Sequence, residues 1–193
     1  MSESSVAQRE NRKRKMAWQV GILTISDTRS HGIRADTATP LIRRLVEQVG
    51  LIVREATLVP DDRQQIQECL IDLADRLQVS LVITTGGTGL GPRDVTPEAT
   101  RGVIEREVPG LPEAMRTSTA QRNTLAWLSR ATAGLRGRTL IVNLPGSPQG
   151  VEECLRVVLP LIPHALAMVA GHPHGHSQRA RGHCTRRRTT AVH

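Results

Sequence analysis

Leu81-Val82-Ile83-Thr84-Thr85-Gly86-Gly87-Thr88-Gly89-Leu90-Gly91-Pro92-Arg93-Asp94-Val95-Thr96-Pro97-Glu98 opens on an apolar, β-branched run and passes at once into glycines. A run of this length and composition fits a buried parallel strand. The glycines beyond it carry no Cβ, so a ligand can lie against main-chain N–H groups, and Thr85 and Thr88 add hydroxyls; the loop suits phosphate or another oxyanion. Pro97 fits the first position of a helix with Thr96 as its N-cap, which places the loop between a strand end and a helix N-terminus. No Gly-Lys-Ser/Thr follows, and the only lysines are Lys13 and Lys15. This is therefore not a Walker loop, and the spacing and acidic residue of a dinucleotide fingerprint are missing too. A bound phosphate would depend on backbone amides, on an arginine such as Arg93, or on a metal ion.

The flanking sequence repeats the strand-then-loop arrangement. Val20, Ile22, Leu23 and Ile25 predict a first core strand that ends at Ser26-Asp27. Leu41, Ile42, Leu45, Val46 and Val49 recur at helical spacing, and Gly50 closes that helix. A strand over 51–59 stops at Pro60-Asp61-Asp62, and Ile66, Cys69, Leu70, Leu73 and Leu77 mark a second amphipathic helix. After the glycine loop, helices are predicted over 97–107 and 110–120, an edge strand over 130–135 and a core strand over 139–143. A helix over 151–169 should be kinked or divided by Pro160 and Pro163. Alternating strands and helices predict an α/β fold: a three-layer, doubly wound, mostly parallel sheet flanked by helices, with function at the carboxyl ends of the strands.

The formal charge of +8 invites a nucleic-acid reading, but its placement argues otherwise. Residues 17–170 hold sixteen arginines and sixteen acids, so all of the excess lies in 1–16 and 171–193. We expect these to be disordered basic tails around a single domain at 17–170. Tyr and Phe are absent and Trp18 and Trp127 are the only tryptophans, so no aromatic platform for stacking bases is evident. No specific nucleic acid and no membrane partner are expected; no apolar run reaches the roughly eighteen residues of a membrane span, and no signal-peptide core follows the basic N-terminus, which leaves the cytoplasm by default. Cys69, Cys154 and Cys184 are odd in number and lack Cys-x-x-Cys spacing, which argues against structural disulfides.

Taken together, Thr-Ile-Ser-Asp-Thr-Arg (24–29), Val-Pro-Asp-Asp (59–62), Thr-Thr-Gly-Gly-Thr-Gly (84–89), Arg-Asp-Val-Thr-Pro-Glu (93–98), Val-Pro-Gly (108–110), Leu-Ser-Arg (128–130) and Asn-Leu-Pro-Gly-Ser (143–147) resemble the MogA/MoaB molybdopterin-binding family, in order, over about residues 19–169. The segment from Gly134 to Ser147, with Glu152-Glu153-Cys154-Leu155 downstream, looks closer to MogA and the gephyrin G domain than to MoaB. The resemblance implies a molybdopterin adenylyltransferase, a nucleotidyltransferase of molybdenum cofactor biosynthesis. Such an enzyme transfers AMP from ATP to the terminal phosphate of molybdopterin with Mg²⁺ and releases pyrophosphate. It also implies a MoeA-like insertase as downstream partner and a homo-oligomer, trimer favoured and hexamer possible. The alternative is a MoaB-like scaffold that binds the pterin without turnover.

By the same resemblance, the two aspartates required in the family correspond to Asp61 and Asp94, as catalytic and Mg²⁺-holding residues. Paired carboxylates at a strand-end edge agree, since Mg²⁺ takes a few carboxylates plus substrate oxygens and water. Ser26, Asp27, Thr85, Gly86, Gly87, Thr88, Gly89, Arg93, Asn143, Pro145, Gly146 and Ser147 are the expected binding residues. Several carry a second, structural reading: Ser26 as a turn cap, Arg93 in an exposed ion pair, 143–147 as a plain turn. Asp62 reads as a helix-start residue or a group behind the site. At Asp36-Thr37-Ala38-Thr39-Pro40 the glycine that often follows the family's aspartate is missing. His172, His174, His176, His183 and Cys184 have the ligand types for a soft divalent metal but no structural-site spacing.

Overall fold

The computed structural model describes residues 18–30, 32–33 and 35–171. The expected tails over 1–16 and beyond Gly171, and with them the His/Cys cluster, lie outside the described residues.

Six strands form one sheet: β1 (Gln19–Ile25), β2 (Ile52–Val59), β3 (Leu81–Thr85), β4 (Arg106–Glu107), β5 (Ala133–Arg136) and β6 (Thr139–Leu144), in the order β2-β1-β3-β6-β5-β4. The first four in that order run parallel; β5 and β4 are antiparallel additions at one edge. Alternation along the strands divides the core into two layers. Val20, Ile22, Leu81, Ile83, Leu140 and Val142 pack on one face against Ile42 and Val46 of helix Ala38–Gln48 and Val151 and Leu155 of helix Pro148–Val158. Leu23, Ile25, Val82 and Ile141 pack on the other against Ile66 and Leu70 of helix Arg63–Ile71 and Ala99 of helix Thr96–Arg101. The expected three-layer, mostly parallel doubly wound fold is thus observed. Because β1 lies between β2 and β3, the strand order reverses beside it, and the crevice outside such a switch point is where open α/β sheets bind ligands. Ser26-Asp27 and the glycine loop leave the sheet there.

The departures from expectation are local. The helix predicted over 97–107 stops at Arg101. The chain turns at Gly102, buries Val103 and gives Arg106–Glu107 to the sheet edge, where they pair with Leu135 and Gly134. The second amphipathic helix ends at Ile71 and widens into a π-turn over Asp72–Arg76. Strand β5 begins at Ala133 rather than 130, because the Arg130 N–H is committed to the Thr88 carbonyl. The last helical region is divided, as the prolines require, into Pro148–Val158 and Ile162–Val169.

Candidate functional site

The glycine loop is held in place from below. Thr85 is fully buried and its hydroxyl donates to the Pro145 carbonyl at 2.8 Å, tying the end of β3 to the loop after β6. Gly86, at φ +103°, lies so close to the main chain of Ile25 that a Cβ there would collide with the Ile25 carbonyl oxygen. Thr96 is the first residue of its helix rather than the N-cap, which is Val95; the Thr96 hydroxyl donates to the Gly86 carbonyl at 2.8 Å instead. Asn143 is also fully buried. Its amide donates to the hydroxyls of Thr84 and Thr100, both at 2.9 Å, and its carbonyl accepts from Thr132 N–H. Thr85, Gly86 and Asn143 therefore shape the site from inside the protein, without facing its opening.

The next two glycines make room for carboxylates. A Cβ on Gly87, itself at φ +63°, would collide with Thr96 Oγ1 and sit 3.2 Å from Asp61 Oδ1; one on Gly89 would sit 2.9 Å from Asp94 Oδ2. Asp94 Oδ2 accepts from Gly91 N–H at 2.8 Å. Asp61 and Asp94 thus overlie adjoining stretches of one loop, at its start and its middle. Burial pushes the Asp61 carboxyl above the usual aspartate range, opposed by the hydrogen bond from Asp27 N–H and by the charge of Arg93, and reinforced by the negative charges of Asp27 and Asp94. Arg93 forms an exposed ion pair with Asp27 at 2.6 Å. Ser26 Oγ accepts from Arg29 N–H at 3.3 Å, the expected turn cap. Asp62 caps the following helix by accepting from Gln65 N–H. Asp36 accepts from the first N–H groups of helix Ala38–Gln48 and from the Thr39 hydroxyl, so its carboxylate is taken up by that helix start.

On one side of the loop opens a cavity of about 560 Å³. Gly87, Thr88, Gly89 and Asp94 line one wall, and Pro145, Gly146 and Ser147 a second, where Ser147 caps helix Pro148–Val158 through Gly150 N–H. The third wall was not foreseen. It comes from Met115 and Arg116 of helix Gly110–Ala120 and from Leu125 and Leu128 of a 3₁₀ turn over Thr124–Leu128. Arg116 Nη1 donates to the carbonyls of Ser129 and Ala131. Cys154 also lines the cavity, its thiol pushed up to about 11 by burial, so it is a neutral apolar surface there. Ser26, Asp27, Asp61 and Arg93 are not among the residues that line this cavity, although Asp61 Oδ1 lies against Gly87, which does. The site therefore combines a largely apolar chamber, bordered by Gly87, Gly89 and Asp94, with a group of charges that meets the same loop at Gly87. Of this third wall the sequence motifs include only Leu128, in Leu-Ser-Arg; sequence spacing carried no signal for Met115, Arg116 and Leu125, which are ordinary helix and turn positions until the chain brings them over the loop.

Among the described residues no three Asp, Glu, His or Cys side chains converge as a metal cage. The donor set is two hard carboxylates at the mouth of an anion-suited loop. That suits Mg²⁺ completed by phosphate oxygens and water, and suits a softer metal poorly.

Residues 21–164 match a family described as a probable molybdopterin binding domain. A molybdopterin adenylyltransferase from Helicobacter pylori J99 is 39% identical over 155 residues, covering 79% of this chain and 88% of the relative. Among solved structures, the molybdopterin biosynthesis enzyme MoaB from Thermus thermophilus is 51% identical with a TM-score of 0.77, covering 81% of this chain and 98% of that one. MogA is 38% identical with a TM-score of 0.75, covering 78% and 99%. Identity across the domain is thus higher to the protein named MoaB than to MogA. The leaning towards MogA rests on the segment from Gly134 to Ser147 and on Glu152 to Leu155.

Proposed function

The chain belongs to the molybdopterin-binding domain family, and from that premise we propose that it is a molybdopterin adenylyltransferase acting with ATP and Mg²⁺ in molybdenum cofactor biosynthesis. The observation that carries the reading is the glycine loop, which borders a chamber with room for an organic group and has two carboxylates over its glycines. An oxygen of the pterin's terminal phosphate attacks the α-phosphorus of ATP, the bond from that phosphorus to the bridging oxygen breaks, and pyrophosphate leaves. The chamber bounded by Met115, Leu128 and Pro145 buries an organic moiety, and the main-chain N–H groups of Thr88 and Gly89 meet phosphate oxygens at its edge. Asp61 and Asp94 would hold Mg²⁺, which when bound supplies charge neutralisation on the transferring phosphoryl group. Arg93 faces the leaving pyrophosphate. The same reading places the protein in the cytoplasm as a homo-oligomer, trimer favoured, that hands its product to a MoeA-like insertase.

Incubation with molybdopterin, ATP and Mg²⁺ should yield pyrophosphate and adenylylated pterin. Asp94→Asn keeps the side chain's size but removes the charge that makes it a hard-cation ligand. Transfer should fall by at least ~100-fold while pterin affinity changes far less. Tight pterin binding by the wild type without any ATP-dependent product would establish the scaffold reading instead.

A further inference from the structure

Arg130 makes contacts that neither the cavity nor the acid pair requires. Its main-chain N–H donates to the Thr88 carbonyl at 2.9 Å. Its guanidinium then reaches along the loop: Nε donates to the Gly89 carbonyl at 2.7 Å, Nη2 to the Asp94 carbonyl, and Nη1 to the Glu98 carboxylate. One residue therefore grips the glycine loop at its start, its middle and the residue that carries the second carboxylate. The loop's own bonds over this stretch are local, Asp94 N–H to the Gly91 carbonyl and Gly91 N–H to Asp94 Oδ2. They close a small turn but do not fix that turn relative to the sheet.

We infer that Arg130 is a positioning residue, which holds residues 88–94 so that the Gly89 peptide and the Asp94 carboxylate face the nucleotide phosphates and their cation. The physical case is the fork geometry of guanidinium. Three donors in one plane meet three acceptors on different residues, and the ion pair with Glu98 fixes the plane's orientation. A lysine keeps the charge opposite Glu98 but, as a point donor, cannot span Gly89, Asp94 and Glu98 together. Arg130 also joins the loop to the cavity's third wall. Its neighbours Ser129 and Ala131 present the carbonyls gripped by Arg116, so two arginines hold the 129–131 segment between chamber and loop.

The inference rests on the nucleotidyltransferase reading for what the loop holds, and Arg130→Lys tests it with two measurements. The first is amide hydrogen exchange in the full-length protein. In the variant, exchange over residues 88–94 should quicken while β1, β3 and β6 keep wild-type protection. The second is a calorimetric titration of Mn²⁺, standing in for Mg²⁺, in the presence of a non-hydrolysable ATP analogue. Affinity for Mn²⁺ should weaken roughly 10-fold or more, the scale for losing a group that orients a metal ligand. Arg156→Lys, which alters an exposed helical ion pair elsewhere, should change neither. Unaltered exchange over 88–94 in Arg130→Lys overturns the inference, and so does quickened exchange with unaltered Mn²⁺ affinity. A wild type that binds no Mn²⁺ with the analogue would sink the nucleotide reading itself, and the exchange comparison would still decide whether Arg130 holds the loop.

Discussion

Asp27 and Asp61 hold each other's main chain: Asp27 N–H donates to Asp61 Oδ2 at 2.8 Å, and Asp61 N–H donates to Asp27 Oδ1 at 3.0 Å. The exchange locks the loop after β1 to the loop after β2, at the crevice where the sheet reverses order. It also leaves Asp61 Oδ1 directed at Gly87 and away from that brace. Asp61 thus combines a structural oxygen with one turned to the glycine loop, and Arg93 stands beside the pair to offset two adjacent negative charges.

That arrangement separates stability from activity at Asp61. Burial raises its pKa in the folded protein, so the stability present below the usual carboxylate range is lost as pH rises through the raised value. At neutral pH the ionised form is a cost to the fold. Asp61→Asn can keep a carbonyl oxygen facing Asp27 N–H while removing the charge. We expect its thermal midpoint without divalent cation to equal or exceed that of wild type at pH 7, and adenylyl transfer to fall by at least ~100-fold. A variant that loses both together would make Asp61 a structural residue.

Asn143 should behave in the opposite way. Asn143→Ala leaves the buried hydroxyls of Thr84 and Thr100 and the N–H of Thr132 without this partner. Groups left unsatisfied in this way, together with the small cavity, should cost about 2–4 kcal/mol in urea unfolding. Turnover per folded molecule should stay close to wild type. A raised KM with unchanged stability would instead put Asn143 in contact with substrate.

What the sequence made legible follows from the range of each interaction. Strand runs and helical periodicity report burial residue by residue, so the alternation from Val20 to Leu144, and with it the layered fold, could be read directly. The division at Pro160 was equally local. The loop's chemistry was half legible. Its glycines signalled close approach, but at Gly86 what approaches is the Ile25 main chain, at Gly87 the Thr96 hydroxyl with the Asp61 carboxylate beyond it, and at Gly89 the Asp94 carboxylate. For this reason Gly87→Val is no clean test of ligand access: its side chain would strike Thr96 Oγ1, whose bond to Gly86 steadies the loop. Arg116 could not be found in the sequence at all, and Arg130 stood there only as the last residue of the Leu-Ser-Arg motif, without a role. Apart from the Glu98 carboxylate on Arg130, their partners are carbonyls, which every residue has, and only the folded chain selects which ones they meet.

Asp36 gives a pH signature. Burial raises its carboxyl, but hydrogen bonds from the Thr39 hydroxyl and from Thr39 and Ala38 N–H, with the charge of Arg29, outweigh it and leave the pKa lowered. Its contribution is therefore present above the usual aspartate range and is lost as pH falls through the depressed value. Asp36 precedes the N-cap Thr37 but accepts from the first N–H groups as a cap would, so Asp36→Ala should cost about 0.5–2 kcal/mol at pH 7, the range for losing such an acceptor. The gap between wild type and variant should narrow steadily as urea unfolding is repeated at lower pH. A gap independent of pH would mean that packing, not the ionised carboxylate, supplies the stability.

Arg93 offers the sharpest division between fold and chemistry. The Arg93 side chain is 68% exposed and that of its partner Asp27 35%, so solvent screens their ion pair despite the 2.6 Å separation. Such pairs contribute about 0–1 kcal/mol, and Arg93→Gln should leave the unfolding midpoint nearly unchanged. Two effects on turnover should nonetheless combine. Loss of the cation that the proposed function sets beside the departing pyrophosphate should reduce transfer by roughly 10-fold or more, with Arg93→Lys recovering part of the rate because a point charge can still meet phosphate. Arg93 also lowers the Asp61 carboxyl, so in Arg93→Gln the acid limb of the rate profile should move to higher pH. A Gln variant with wild-type turnover and an unmoved acid limb would reduce Arg93 to a surface partner of Asp27. A fall in rate at every pH, with the acid limb in place, would keep its contact with phosphate and remove its influence on Asp61.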